Sequence, residues 1–161
     1  MEFEVNIDAT QPKPALYAEL AQVVRALVHD EPDLIANLAN ASALLFQSLH
    51  DVNWVGFYLL KGGELVVGPF QGQIACVRIA LGKGVCGTAA QRREPIVVPN
   101  VHEFPGHIAC DGDSNSEIVV PMVRGGKLLG VLDIDSPSFG RFDAEDRAGL
   151  EGFVTALVEA L

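Results

Sequence analysis

Hydrophobic positions along the chain switch from a helical period to an alternating one and back, and the switches mark out its elements. Leu16, Leu20, Val23, Val24 and Leu27 recur at helical spacing after Pro12 and Pro14, which predicts a first helix. A second helix opens near Pro32, with Leu34, Ile35, Leu38, Ala41, Leu45 and Leu49 as its buried stripe. Ala36, Ala39, Ala41 and Ala43 keep that helix slim enough to pack closely on a sheet. The period then becomes alternating. Residues 54–60 and 64–70 read as strands joined by a Lys61-Gly62-Gly63 hairpin turn. Residues 74–81 read as a third strand, 84–91 as a short helical turn closed by Glu94-Pro95, and 96–98 as a brief strand. A long loop over 99–114 leads to strands at 117–123 and 127–135, joined through Arg124-Gly125-Gly126. Asp143 after Phe142 reads as an N-cap, and Asp146 adds acid to the first turn of a last helix. That helix carries Leu150, Phe153, Val154, Leu157 and Leu161.

The order α-α-β-β-β-(α)-β-β-β-α, rich in hairpins, predicts an α+β fold. Its central sheet should be largely antiparallel, with the N- and C-terminal helices packed on one face. A length of 161 residues suits a single domain over 1–161. Ordered loops as long as 99–114 are usually functional.

Charge narrows the partners. The chain has 21 acidic against 11 basic residues, a net charge of −10, which argues against nucleic acid. The opening MEFEVNIDATQPKP lacks the basic and apolar regions of a signal peptide. No apolar run reaches the ~20 residues of a membrane span. A cytoplasmic protein without a membrane association, its thiols resting reduced, is the expectation.

The candidate chemistry sits in the middle third. Cys76, Cys86 and Cys110 are the three cysteines, spaced C-x9-C-x23-C in glycine-rich, polar surroundings. An odd count points to redox chemistry, with a nucleophile, a resolving partner and a spare. His102 and His107 lie between the second and third, but without a C-x2-C pair a structural zinc site is disfavoured. Each cysteine alone also reads as a small buried hydrophobe, Cys76 most of all, in a strand beside Val77. Gly82, Gly84 and Gly87 spell G-x-G-x-x-G, yet the helix after them is too short for a dinucleotide fold. They instead make a tight strand-to-helix turn that puts Cys86 in a first helical turn, where the dipole is expected to lower its pKa. Asp111 and Asp113 should do the opposite to Cys110.

Asp133 and Asp135 point to one face of their strand. Either the strand end emerges into solvent there, or the two line a pocket with Glu117. In a pocket, repulsion and desolvation would raise at least one pKa and leave a carboxyl able to act as a general acid. Trp54 and Tyr58 also share a face, as core packing or as a wall for an apolar or thioether group.

Together, the blocks NWVGFYLL, GPFQGQIACVRIALGKGVCGTA, VHEFPGHIACDGDSNSEIVVP and GVLDIDSP resemble the free methionine-(R)-sulfoxide reductases, built on a GAF-type domain. The match runs from about Ala41 to the last helix and includes the spacing of all three cysteines. The resemblance implies a GAF-like catalytic domain that reduces free L-methionine (R)-S-oxide to L-methionine. It implies Cys110 as the nucleophile that becomes a sulfenic acid, and Cys76 or Cys86, Cys76 first, as its disulfide partner. It implies Glu117 and Asp135 as the acids that contact and protonate the sulfoxide oxygen, Asp133 as a substrate-binding acid, and Trp54 and Tyr58 as the pocket wall. It further implies no bound cofactor or metal, thioredoxin as reductant (NADPH indirectly, through thioredoxin reductase), and a homodimer. A non-catalytic GAF sensor of small molecules and a thiol redox switch are the alternatives.

Overall fold

The computed structural model describes residues 4–107 and 112–161. Helices α1 (Lys13–Val28) and α2 (Leu34–Ser48) precede strands β1 (Trp54–Lys61), β2 (Glu64–Gly72) and β3 (Arg78–Ala80). Helix α3 (Gly84–Arg92), strand β4 (Ile96–Val98) and a 3-10 turn at Val101–Glu103 follow. Strands β5 (Ser116–Arg124) and β6 (Lys127–Ser136) and helix α4 (Ala144–Glu159) complete the chain. The strands form one six-stranded sheet in the order β3-β2-β1-β6-β5-β4, every pairing antiparallel.

Alternation along the strands divides the interior in two. Phe57 of β1, Ile118 of β5 and Leu132 of β6 face a core shared with α1, α2 and α4, as expected for terminal helices on one face. The opposite face, with Trp54, Tyr58, Val119 and Val131, packs against α3. Among the described residues no helix is long and apolar enough to cross a membrane.

The third strand departs from expectation. Residues 74–81 alternate in hydrophobicity, but only Arg78–Ala80 are strand, and Cys76 lies in an irregular segment before them. Gly72, at φ +134°, ends β2, and Ile74 and Val77 are turned outward, 90% and 60% exposed. The reading of Cys76 as a buried strand residue is therefore corrected: it is half-buried in a connection.

The last helix begins as its sequence predicts. Asp143 accepts from the backbone N–H groups of Glu145 and Asp146, and Asp146 accepts back from the Asp143 N–H, a complete capping box. The Lys13 ammonium, 2.9 Å away, holds the Asp143 carboxyl down at about 2. Its stabilising contribution is thus full above the unfolded value of about 4 and fades as pH falls towards 2. Asp143 is largely exposed, so the effect is modest. Asp143→Asn, which keeps the cap acceptor but not the charge, is expected to flatten the decline in melting temperature over that acid range, as read by circular dichroism.

Candidate active site

Strand register decides which polar side chains meet. Pairing of β1 with β6 sets Trp54 opposite Asp135 and Gly56 opposite Asp133. Pairing of β6 with β5 sets Asp135 opposite Glu117. Since alternate residues share a face, the aromatic and acidic side chains all reach the α3 side of the sheet. Gly56 makes room for the aromatic rings: a Cβ there would collide with Phe70 and stand 2.8 Å from the Trp54 ring. Trp54 stacks between Phe70 and Tyr58, with centroids 5.1 and 5.9 Å away.

Trp54, Tyr58, Glu117, Asp133, Asp135 and Cys86 line one cavity of about 50 Å³. The structure thus brings together six of the residues singled out from sequence. Glu117 and Asp133 are both buried, so the pocket alternative holds for these acids over the solvent-facing one. Burial, reinforced by the Asp133 charge, pushes the Glu117 carboxyl well above the usual carboxylate range. Burial and neighbouring Asp135 do the same to Asp133. Neutral carboxyl groups are what such a site favours, because separate charges cannot be solvated there. Carboxylate oxygens of Asp133 and Glu117 lie within 4.8 Å of each other, yet Asp133 Oδ1 is buried without a hydrogen-bond partner.

The expectation for Cys86 is reversed. It does lie in the first turn of α3, but it is only 4% exposed and its Sγ donates to Glu117 Oε2 at 3.9 Å. Burial, with Asp133, Glu117 and Asp135 nearby, pushes its thiol well above the ordinary value. A helix terminus supplies about 0.3–1 kcal/mol in an exposed setting, too little to offset burial beside three acids.

The two aromatic tips hold the segment that carries Cys76. Trp54 Nε1 donates to the Gln73 carbonyl at 3.0 Å, and Tyr58 Oη donates to the Cys76 carbonyl at 3.1 Å. Burial raises the Tyr58 pKa, so the phenol stays a donor. Cys76 is disulfide-bonded and Cys86 is a free thiol. Cys110 and Asp111 lie outside the described residues.

Sequence reasoning passed over Lys83, His107 and Ser114 as cavity residues. Burial and nearby His102 push the His107 pKa down. A histidine inside the long 99–114 loop was the available signal, but nothing in the spacing distinguished it from His102, which instead meets Asn115 Oδ1 at 2.9 Å. Gly84 and Val85 also line the cavity, at the end of α3 where backbone N–H groups lack intrahelical acceptors.

Helices on one face of an antiparallel sheet and an acid-lined cavity under a short helix on the other define a GAF domain, and the GAF domain family model matches residues 28–161. A GAF protein of Burkholderia vietnamiensis is 63% identical, with a TM-score of 0.90 over 92% of this chain and 94% of that one. The free methionine-R-sulfoxide reductase of Escherichia coli is 54% identical over 149 residues, 92% of this chain and 90% of the relative. The X-ray structure of the Neisseria meningitidis free methionine-R-sulfoxide reductase, in complex with its substrate, has a TM-score of 0.93 and 41% identity. It covers 99% of this chain and 95% of its own. The chain belongs to the free methionine-R-sulfoxide reductase family.

Proposed function

We propose that this protein reduces free methionine (R)-sulfoxide to methionine through a sulfenic acid on Cys110, a disulfide with Cys76, and thioredoxin as the reductant. The observation that carries the reading is the cavity in which an aromatic wall is brought together with Glu117, Asp133 and Asp135. A sulfoxide oxygen leaves sulfur only once protonated, and a carboxyl held neutral by burial supplies that proton. In this reading Glu117 and Asp135 contact the oxygen, and Trp54 and Tyr58 enclose the methyl group. Asp133 Oδ1, buried and without a donor, suits the substrate ammonium. The amides at the start of α3 suit its carboxylate. A free amino acid offers both charged groups, whereas a residue within a peptide offers neither.

The chemistry balances. Cys110 sulfur attacks the protonated sulfoxide sulfur, and as the transient S–S bond breaks the hydroxyl passes from that sulfur to Cys110, so methionine leaves as the thioether and Cys110 is left as a sulfenic acid. The electron pair gained by the substrate is the one lost by the cysteine. Condensation with Cys76 expels water and forms the disulfide, which a dithiol reductant opens by exchange while being oxidised itself. A disulfide-bonded Cys76 beside a buried, free Cys86 favours Cys76 as the resolving cysteine.

The test is NADPH consumption with thioredoxin and thioredoxin reductase, on the free R and S epimers separately, for wild type and Cys110→Ser. Turnover of the R epimer alone, abolished by the substitution, is the expected result. Absence of turnover with either epimer from folded, reduced protein would favour a ligand-sensing role instead.

A further inference from the structure

Cys86 has no step in the reaction proposed above, yet it is aimed at the acids rather than into the apolar core. Its Sγ and the carboxylate oxygens of Glu117 and Asp133 lie within 4.8 Å of one another, and all three residues are buried. Each comes from a different regular element: Cys86 from α3, Glu117 from β5 and Asp133 from β6. Ligands on packed helices and strands are held more tightly in place than ligands on loops. A second observation is the Asp133 Oδ1 atom. It belongs to a side chain 5% exposed and has no hydrogen-bond partner, so the cavity contains an acceptor with nothing donated to it.

The donor set and its spacing favour a particular ion. Tetrahedral zinc takes sulfur at about 2.3 Å and oxygen at about 2.0–2.2 Å, so its sulfur and oxygen ligands stand about 3.5 Å apart. Cys86 Sγ and Glu117 Oε2 are 3.9 Å apart, and a small side-chain rotation closes the difference. Calcium and magnesium want six or more oxygens and reject a sulfur ligand. One thiolate with two carboxylates suits a borderline-soft divalent cation.

We propose that the cavity binds a thiophilic divalent cation of the zinc kind through Cys86 Sγ, a Glu117 carboxylate oxygen and Asp133 Oδ1, leaving the fourth position to water. Ligation expels to solvent the thiol proton and whatever protons the two carboxyl groups carry. The cation takes the acceptor assigned above to the substrate ammonium, so it and methionine sulfoxide exclude each other, and the bound ion holds the enzyme off. That exclusion rests on the proposed substrate, whereas cation binding itself does not. Cys76 is not a ligand, so the site exists while Cys76 is in its disulfide.

The experiment uses the intact protein with its Cys76 disulfide closed, in which Cys86 is the free thiol among the described residues. Cobalt(II) titration is expected to give one equivalent of tetrahedral visible absorption, with a sulfur-to-cobalt charge-transfer band in the near ultraviolet. Zinc should displace it. Cys86→Ser should abolish the sulfur band and weaken zinc about tenfold or more in competition with a chromophoric chelator. Asp133→Asn should weaken zinc to a similar degree while keeping the band. Absence of the band in wild type, its survival in Cys86→Ser, or unchanged zinc affinity in both variants would overturn the site. Free methionine is expected to raise the apparent zinc dissociation constant. If it does not while the band is present, mutual exclusion is wrong and the cation site stands.

Discussion

Glu117→Gln is expected to slow single-turnover reduction of free methionine (R)-sulfoxide by about 10²- to 10⁴-fold, the range of a positioned general acid. Glutamine preserves the size and much of the hydrogen bonding of the side chain but cannot give up a proton to a departing oxygen. The carboxyl is buried, faces the cavity and sits in register with Asp135, which leaves it little freedom to be replaced by water. The loss should therefore fall on the rate constant more than on substrate affinity, which the proposed reading assigns to Asp133 and the start of α3. Methionine released by pre-reduced protein in a quenched-flow experiment gives the rate, without involving the recycling thiols. A rate within about tenfold of wild type would exclude Glu117 as the principal acid.

Asp146→Ala should destabilise the fold by about 3–5 kcal/mol, the cost of removing one partner from a buried charged network. Asp146 is fully buried at the foot of α4. Its Oδ1 accepts from Tyr17 Oη at 2.7 Å and from the Arg141 guanidinium at 3.4 Å. Its Oδ2 accepts from Lys13 Nζ at 2.7 Å and from the Asp143 N–H at 2.9 Å. Truncation would strand the Tyr17 phenol, leave Arg141 only the His50 carbonyl among the described residues, and open the junction between α1 and α4. Asp146→Asn, which keeps the side-chain volume and one acceptor oxygen for Tyr17 but turns an NH2 towards Lys13 and the cap, should cost less than alanine. Urea denaturation distinguishes the two: the midpoint should shift far more for alanine, with little change in slope.

The difference between these two sites shows what the chain makes legible. Hairpin turns at Gly62-Gly63 and Arg124-Gly125-Gly126 announce their strands because the positive φ each turn needs falls on its two glycines. The acidic start of α4 is equally plain, since capping is a local interaction. What Asp146 does beyond capping is not, because Lys13 and Tyr17 reach it from the far end of the chain. Asp133 and Asp135 were legible as sharing a face through the two-residue period of a strand. Their contact with Cys86 depends on how α3 lies across the sheet, and that placement reverses the inference drawn from the helix terminus alone. The misread strand has a similar cause. Carbonyls of Gln73 and Cys76 accept from Trp54 and Tyr58, so side chains take hydrogen bonds that ladder formation would have used. Alternation in 74–77 reports hydrophobicity but not those competing donors.

Trp54 is the chain's only tryptophan, and its indole N–H is tied to the same short segment that carries Cys76. The protein therefore has a built-in optical reporter, with the fluorophore on the cavity wall and its polar edge joined to the connection that carries the disulfide-bonded Cys76. Opening the Cys76 disulfide should change the intrinsic emission without any added label. Stopped-flow fluorescence after mixing with a dithiol would follow regeneration of the enzyme in real time. Trp54→Phe should leave no such signal, because no second indole is present to mask its loss.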